Sequence, residues 1–185
     1  MNSLALNNTL PAAQVTVNEQ KWGITYKDLG WLESLVRRTD RKVRETLKNG
    51  ESMLHVCARD DAEEMCATLI DSGYNVNAED AFGQTPLFIA LQKGHFGIVQ
   101  ILLNAGANPN YADKNFNTPL MAAINANLGI EGNNNIELIK MLLKDGAKIN
   151  QANKYLETPL KVACIAERTK IAKFLIDKGG VLENE

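Results

Sequence analysis

The chain has little of what metal centres and disulfide frameworks are built from: three cysteines and two histidines in 185 residues. Cys57, Cys66 and Cys164 show no C-x-x-C spacing, and His55 and His95 stand far apart in the sequence, so neither a zinc site nor any other metal is expected. An odd cysteine count without a disulfide pattern suits a reducing compartment. Long apolar runs are also missing. Ile101-Leu102-Leu103 and Met141-Leu142-Leu143 fall far short of the roughly 20 residues that cross a bilayer. The first twenty residues lack the charged start, apolar run and cleavage site of a secretory signal, and a soluble, cytoplasmic protein is expected. No charge of one sign prevails: the net charge is -2 and the pI about 5.8, so no overall positive field gathers nucleic acid or anionic lipid. The glycines never cluster into a phosphate loop, and no nucleotide or other cofactor is expected.

What is present is a repeat. Thr85-Pro86-Leu87 returns as Thr118-Pro119-Leu120 and as Thr158-Pro159-Leu160, with a weaker copy at Ser52-Met53-Leu54. Gly73, Gly106, Gly146 and Gly179 keep the same step, including the one place where it lengthens, and Asn77, Asn110 and Asn150 follow in phase. Self-similarity at such a period marks a stack of supersecondary units. A threonine accepts hydrogen bonds from the free amides of a first helical turn, and a proline after it already has helical φ, so Thr-Pro starts a helix. Phe88 to Leu91 give one short helix, Gly94-His95 breaks it, and Ile98, Val99, Ile101, Leu102 and Leu103 form a second apolar stripe that Gly106 ends. The Asn-, Pro- and Asp-rich stretch from Asn108 to Asn117 predicts an exposed turn into the next Thr-Pro start. Helix pairs with more than one apolar face must stack on their neighbours.

This pattern resembles the ankyrin repeat. The fullest unit carries Gly83, Thr85-Pro86-Leu87, Ala90, Gly94-His95, Ile98-Val99, Leu102-Leu103, Gly106-Ala107 and Asn110. The resemblance implies an all-α solenoid of stacked helix-turn-helix units with hairpin-like turns, in four repeats at 48–80, 81–113, 114–153 and 154–185. Residues 21–47 do not match the signature, and their helical spacing at Leu29, Leu32, Leu35 and Val36 predicts N-terminal capping helices. Residues 1–20 are expected to be a disordered tail.

Departures carry expectations of their own. Phe116 and Leu156 replace the hairpin glycines Gly50 and Gly83, so the third and fourth tips should differ locally. The seven extra residues of the third unit fall around Asn127 to Asn133, and with Asn134 and Asn135 they read as loop, either a tolerated insertion or a contact element. Lys170, Lys173, Asp177 and Lys178 suit the outer face of a C-terminal cap.

The candidate chemistry is thin. Cys57, Cys66 and Cys164 occupy repeat positions held elsewhere by small or apolar residues, and all three read as compact core groups. Neither histidine has a carboxylate or serine placed near it by the repeat, so no general base is expected and the chain is not read as an enzyme.

The resemblance implies instead that the concave side, made of first helices and hairpin tips, grips another protein. Carried over by position, the partner-binding residues are Phe82, Gln84, Gln92, Lys93, Tyr111, Asn115, Phe116, Asn117, Asn125, Tyr155, Leu156 and Glu157. Lys114, Lys154 and Ile165 occupy further tip and groove positions. Among them Phe82, Tyr111, Phe116, Tyr155 and Leu156 stand out, because turns are normally polar and aromatic anchors dominate binding energy. No small-molecule substrate is expected. An inhibitor or immunity protein that neutralises one partner, and a translocated bacterial effector that binds a host protein, both fit. A third reading uses Arg37, Arg38, Arg41, Lys42 and Arg44 as a patch for an acidic partner, protein before nucleic acid, against the plain alternative of a solvated face.

Overall fold

A computed structural model describes residues 50–126 and 133–183. The tail, the capping helices, the basic patch Arg37 to Arg44 and most of the insertion lie outside the described residues.

Eight helices, and no strand among the described residues, follow one another in pairs. They are α1 (Met53–Asp60) with α2 (Glu63–Asp71), α3 (Pro86–Lys93) with α4 (Phe96–Asn104), α5 (Pro119–Asn125) with α6 (Asn133–Lys144), and α7 (Pro159–Ile165) with α8 (Thr169–Asp177). Thr85, Thr118 and Thr158 precede the first helices in extended conformation, and each Oγ1 accepts the amide three residues on at 3.3 Å. Proline at the next position has no amide to leave unpaired. The second helices close on the in-phase glycines, whose φ lies between 82° and 89°. Around Gly106, for example, the Gly106 amide bonds Leu103 and the Ala107 amide reaches back to Leu102, at 2.9 Å each, the paired closure that a left-handed residue permits.

The pairs stack in two layers. First helices pack on first helices and second on second, with the more extensive contact in the first layer. Close approach is possible because Cys57, Ala90, Ala123 and Ala163 recur at one position and are wholly buried. Leu69, Leu102, Leu142 and Leu175 fill the equivalent seam of the second layer. Polar ties run between repeats as well. The Asn77 side chain accepts the Asn108 amide at 2.8 Å, Asn110 accepts that of Lys148 at 2.7 Å, and Asn150 accepts that of Val181 at 3.0 Å.

Two expectations are corrected here. Asn133 to Asn135 belong to α6, and Asn135 is fully buried, its amide nitrogen bonding the carbonyls of Ala123 at 2.8 Å and Ala126 at 2.7 Å at the end of α5. A residue read as loop therefore satisfies orphan helix carbonyls from inside the next helix. Cys164 is exposed, although Leu91 and Ile124 at the same repeat position are wholly buried. No described helix packs on the far side of α7, so the position loses its cover.

Candidate protein-binding surface

Each hairpin tip hangs on one side chain. Asp80 Oδ1 accepts the amides of Phe82 and Gln84 at 2.8 Å, Asp113 Oδ1 those of Asn115 and Asn117 at 2.8 Å, and Asn153 Oδ1 those of Tyr155 at 2.9 Å and Glu157 at 3.0 Å. Such a side chain offers the backbone a ready-made turn. Neighbouring tips are joined through the amide of Lys114 to the carbonyl of Phe82, and that of Lys154 to the carbonyl of Asn115, both at 3.0 Å. The tips therefore form a rigid row.

Phe116 and Leu156 do not change this geometry, contrary to the expectation of locally different tips. Their φ values of 60° and 59° repeat the 71° and 76° of Gly50 and Gly83. The amide bonds accepted by Asp113 and Asn153 on either side hold two bulky residues in a left-handed conformation that L side chains rarely adopt.

The residues singled out from the sequence divide into two groups. Phe82, Gln92, Lys93, Asn115, Phe116, Asn125, Tyr155 and Leu156 are exposed. Gln84, Tyr111, Asn117 and Glu157 are half-buried and tied into the scaffold. The Gln84 carbonyl takes a bond from His55 at 2.9 Å. Asn117 Oδ1 and Glu157 Oε2 both accept from Asn153 Nδ2, at 3.1 and 2.8 Å. The Tyr111 hydroxyl donates to Glu79 Oε1 at 2.7 Å, and that bond to a carboxylate raises the phenol's pKa. The exposed group includes large apolar side chains: Phe82 61%, Phe116 59%, Tyr155 61% and Leu156 77%, joined by Ile165 at 63% on α7.

Sequence reasoning overlooked the opposite charge at the other end of the row. Repeat 1 holds Glu51, Asp60, Asp61, Glu63, Glu64, Asp71, Glu79 and Asp80 against Arg59, its only lysine or arginine between residues 50 and 80. Arg59 is itself paired with Glu51. Counting charge per repeat rather than per chain would have found it.

The histidines also correct an expectation, since each does have a serine or carboxylate nearby. His55 Nδ1 lies 2.8 Å from Ser52 Oγ and accepts the Ser52 amide at 3.0 Å, so its proton sits on Nε2 and is donated to Gln84 across the repeat boundary. The ring is fully buried, and burial lowers its pKa, which keeps it neutral. His95 Nδ1 donates back to Ala58 at 3.0 Å, with Asp61 Oδ1 at 3.7 Å. Both rings clasp repeats 1 and 2 together. Burial likewise pushes the Cys57 thiol far up and that of Cys66 to about 11, the reverse of what a nucleophile needs.

The family described as ankyrin repeats (3 copies) matches residues 24–113 and again 109–184. The chain belongs to the ankyrin-repeat family. It is 40% identical over 86 residues to the Neurogenic locus Notch protein of Drosophila melanogaster, covering 46% of this chain and 3% of that protein. It is 35% identical over 88 residues to an ankyrin repeat protein of fowlpox virus, or 48% and 19% of the two chains. Mouse Rabankyrin-5 is 36% identical over 66 residues, or 36% and 6%. The chain thus spans a small part of the length of these ankyrin relatives. Ankyrin repeats generally mediate protein–protein interaction and are typically not catalytic. Among the described residues, no helix is long and apolar enough to cross a membrane.

Proposed function

We propose that this ankyrin stack is a non-enzymatic binding module that holds another protein on the side of its first helices and hairpin tips. One observation carries the reading: a row of rigid, mutually bonded tips presents Phe82, Phe116, Tyr155 and Leu156 to solvent, where they do little for the fold. Rigid aromatic and apolar anchors lose little freedom on binding, and a few such groups supply most of an interface's energy. A module of this kind acts by occupying or recruiting its partner, as an inhibitor or immunity protein would.

The test compares capture from native lysate by the intact chain and by a variant with Gln92, Lys93 and Tyr155 changed to alanine. All three side chains are exposed, so the fold is expected to survive unchanged in a thermal melt. Loss of one captured protein with the variant supports the reading. A partner retained at full strength moves the site elsewhere on the molecule.

A further inference from the structure

Within the proposed binding side, the two ends of the row differ in chemistry. The groove position at the end of each first helix is Arg59, Gln92 and Asn125 in the first three repeats, and Ile165 in the fourth. Only there is it apolar. The tips of the last two repeats carry Phe116 and Leu156, both held at positive φ where the first two tips have glycine. A selection for folding alone favours glycine or asparagine at such a position, and bulky residues kept in a strained conformation mark sites with another use. Tyr155, also exposed, stands beside Leu156 on the fourth tip.

The exposed charges of these two tips are positive. Lys114 and Lys154 are exposed, and Lys154 Nζ sits 5.6 Å from the centre of the Tyr155 ring and 3.3 Å from Asn115 Oδ1. Glu157, the carboxylate of the fourth tip, is half-buried and points an oxygen inward to Asn153 Nδ2, so the two lysines are the charges these tips expose. At the far end, Asp60, Asp61, Glu63 and Glu64 are exposed and repel negative charge.

Resting on the binding function proposed above, we infer that the corner of Phe116, Tyr155 and Leu156 seats the apolar side chains of an acidic partner segment, whose carboxylates meet Lys114 and Lys154. Apolar anchors give the affinity, and the two lysines with the acidic first repeat select the sign of charge and confine the segment to repeats 3 and 4. A basic segment is turned away from the corner.

A phage-displayed library of random peptides, panned on the full chain, reads this directly. The expected winners combine Leu, Phe or Trp with Asp or Glu. A synthetic winner should bind a Phe116→Gly, Leu156→Gly double variant at least about tenfold more weakly, with the thermal melt preserved. Charge reversal by Lys114→Glu with Lys154→Glu should exchange acidic winners for basic ones. Winners that are basic or lack apolar residues overturn the inference, as do winners bound equally by the double variant. Failure to enrich any peptide, while the lysate partner is still captured, also refutes the acidic segment and leaves the binding side standing. Failure of both removes the binding side itself.

Discussion

The left-handed backbone at Leu156 makes a prediction whose sign runs against ordinary experience. Where φ is negative, alanine is more stable than glycine by about 0.4–1 kcal/mol, because glycine has more unfolded-state freedom to lose. At Leu156, with φ 59°, an alanine keeps the Cβ that clashes in this region, a penalty of about 1–2 kcal/mol. Subtracting glycine's entropic cost leaves Leu156→Gly more stable than Leu156→Ala by roughly 0.5–1 kcal/mol. Little else should obscure the difference. Leu156 is 77% exposed, and full burial of a leucine contributes about 1.5–3 kcal/mol, so truncation loses only about a quarter of that in both variants. Urea unfolding followed by circular dichroism at 222 nm measures the pair, and a melt should separate them by about 1–4 °C for a chain of this size. An alanine variant more stable than the glycine variant would mean that residue 156 is not left-handed, and the strain argument for the apolar corner would go with it.

Leu102 is wholly buried in the second-helix seam, and Leu102→Ala should lower stability by about 2–5 kcal/mol in the same urea assay. The His55 clasp gives a pH dependence. Its folded pKa lies below the free value of 6.5, so the unfolded chain takes up the proton first. The stability it contributes is present above about 6.5, declines as the pH falls below that, and is lost once the pH passes the lowered folded value. His55→Phe, the residue found at Phe88 in the next repeat, should flatten that part of the stability profile, read as urea midpoints between pH 8 and 5. Of the three thiols, Cys164 alone is exposed, so a thiol reagent should label one site quickly in the native protein and the other two only on unfolding.

The repeat landmarks were legible because each has a local mechanical cause: Thr-Pro starts a helix and glycine ends one whatever surrounds them. Positions decided by neighbours in space were not. Cys164 carries the sequence signature of a core position, but its burial depends on a helix packing against α7, which periodicity does not report. Asn135 lies in a run of asparagines that looks like loop, and its role emerges only when the end of α5 presents carbonyls to it. At the candidate site, sequence position identified the exposed Phe82, Phe116, Tyr155 and Leu156 and the groove position of Ile165, yet it could not separate these from Asn117 and Glu157, whose side chains are already spent on Asn153.

The persistence of one tip geometry across glycine, phenylalanine and leucine has a physical explanation in the hydrogen bonds beneath it. Each tip is fixed by two amides on one buried or nearly buried Asp80, Asp113 or Asn153 side chain, and two of them by a further bond to the preceding tip. At a net contribution of about 0.5–1.5 kcal/mol for each such bond, more where the acceptor is a carboxylate, the three bonds of such a tip together outweigh the left-handed penalty of about 1–2 kcal/mol. The backbone is therefore set by residues under the tip, and the residue at its apex is free to be chosen for what it touches outside. Asp113→Ala should expose this division of labour: with its anchor gone, the third tip can relieve the strain at Phe116 by leaving positive φ, whereas the same change at Asp80 leaves a glycine with nothing to relieve. Amide hydrogen exchange at Phe116 should accordingly accelerate more in Asp113→Ala than exchange at Gly83 does in Asp80→Ala. Equal acceleration at the two tips would mean that the apex residue stores no strain.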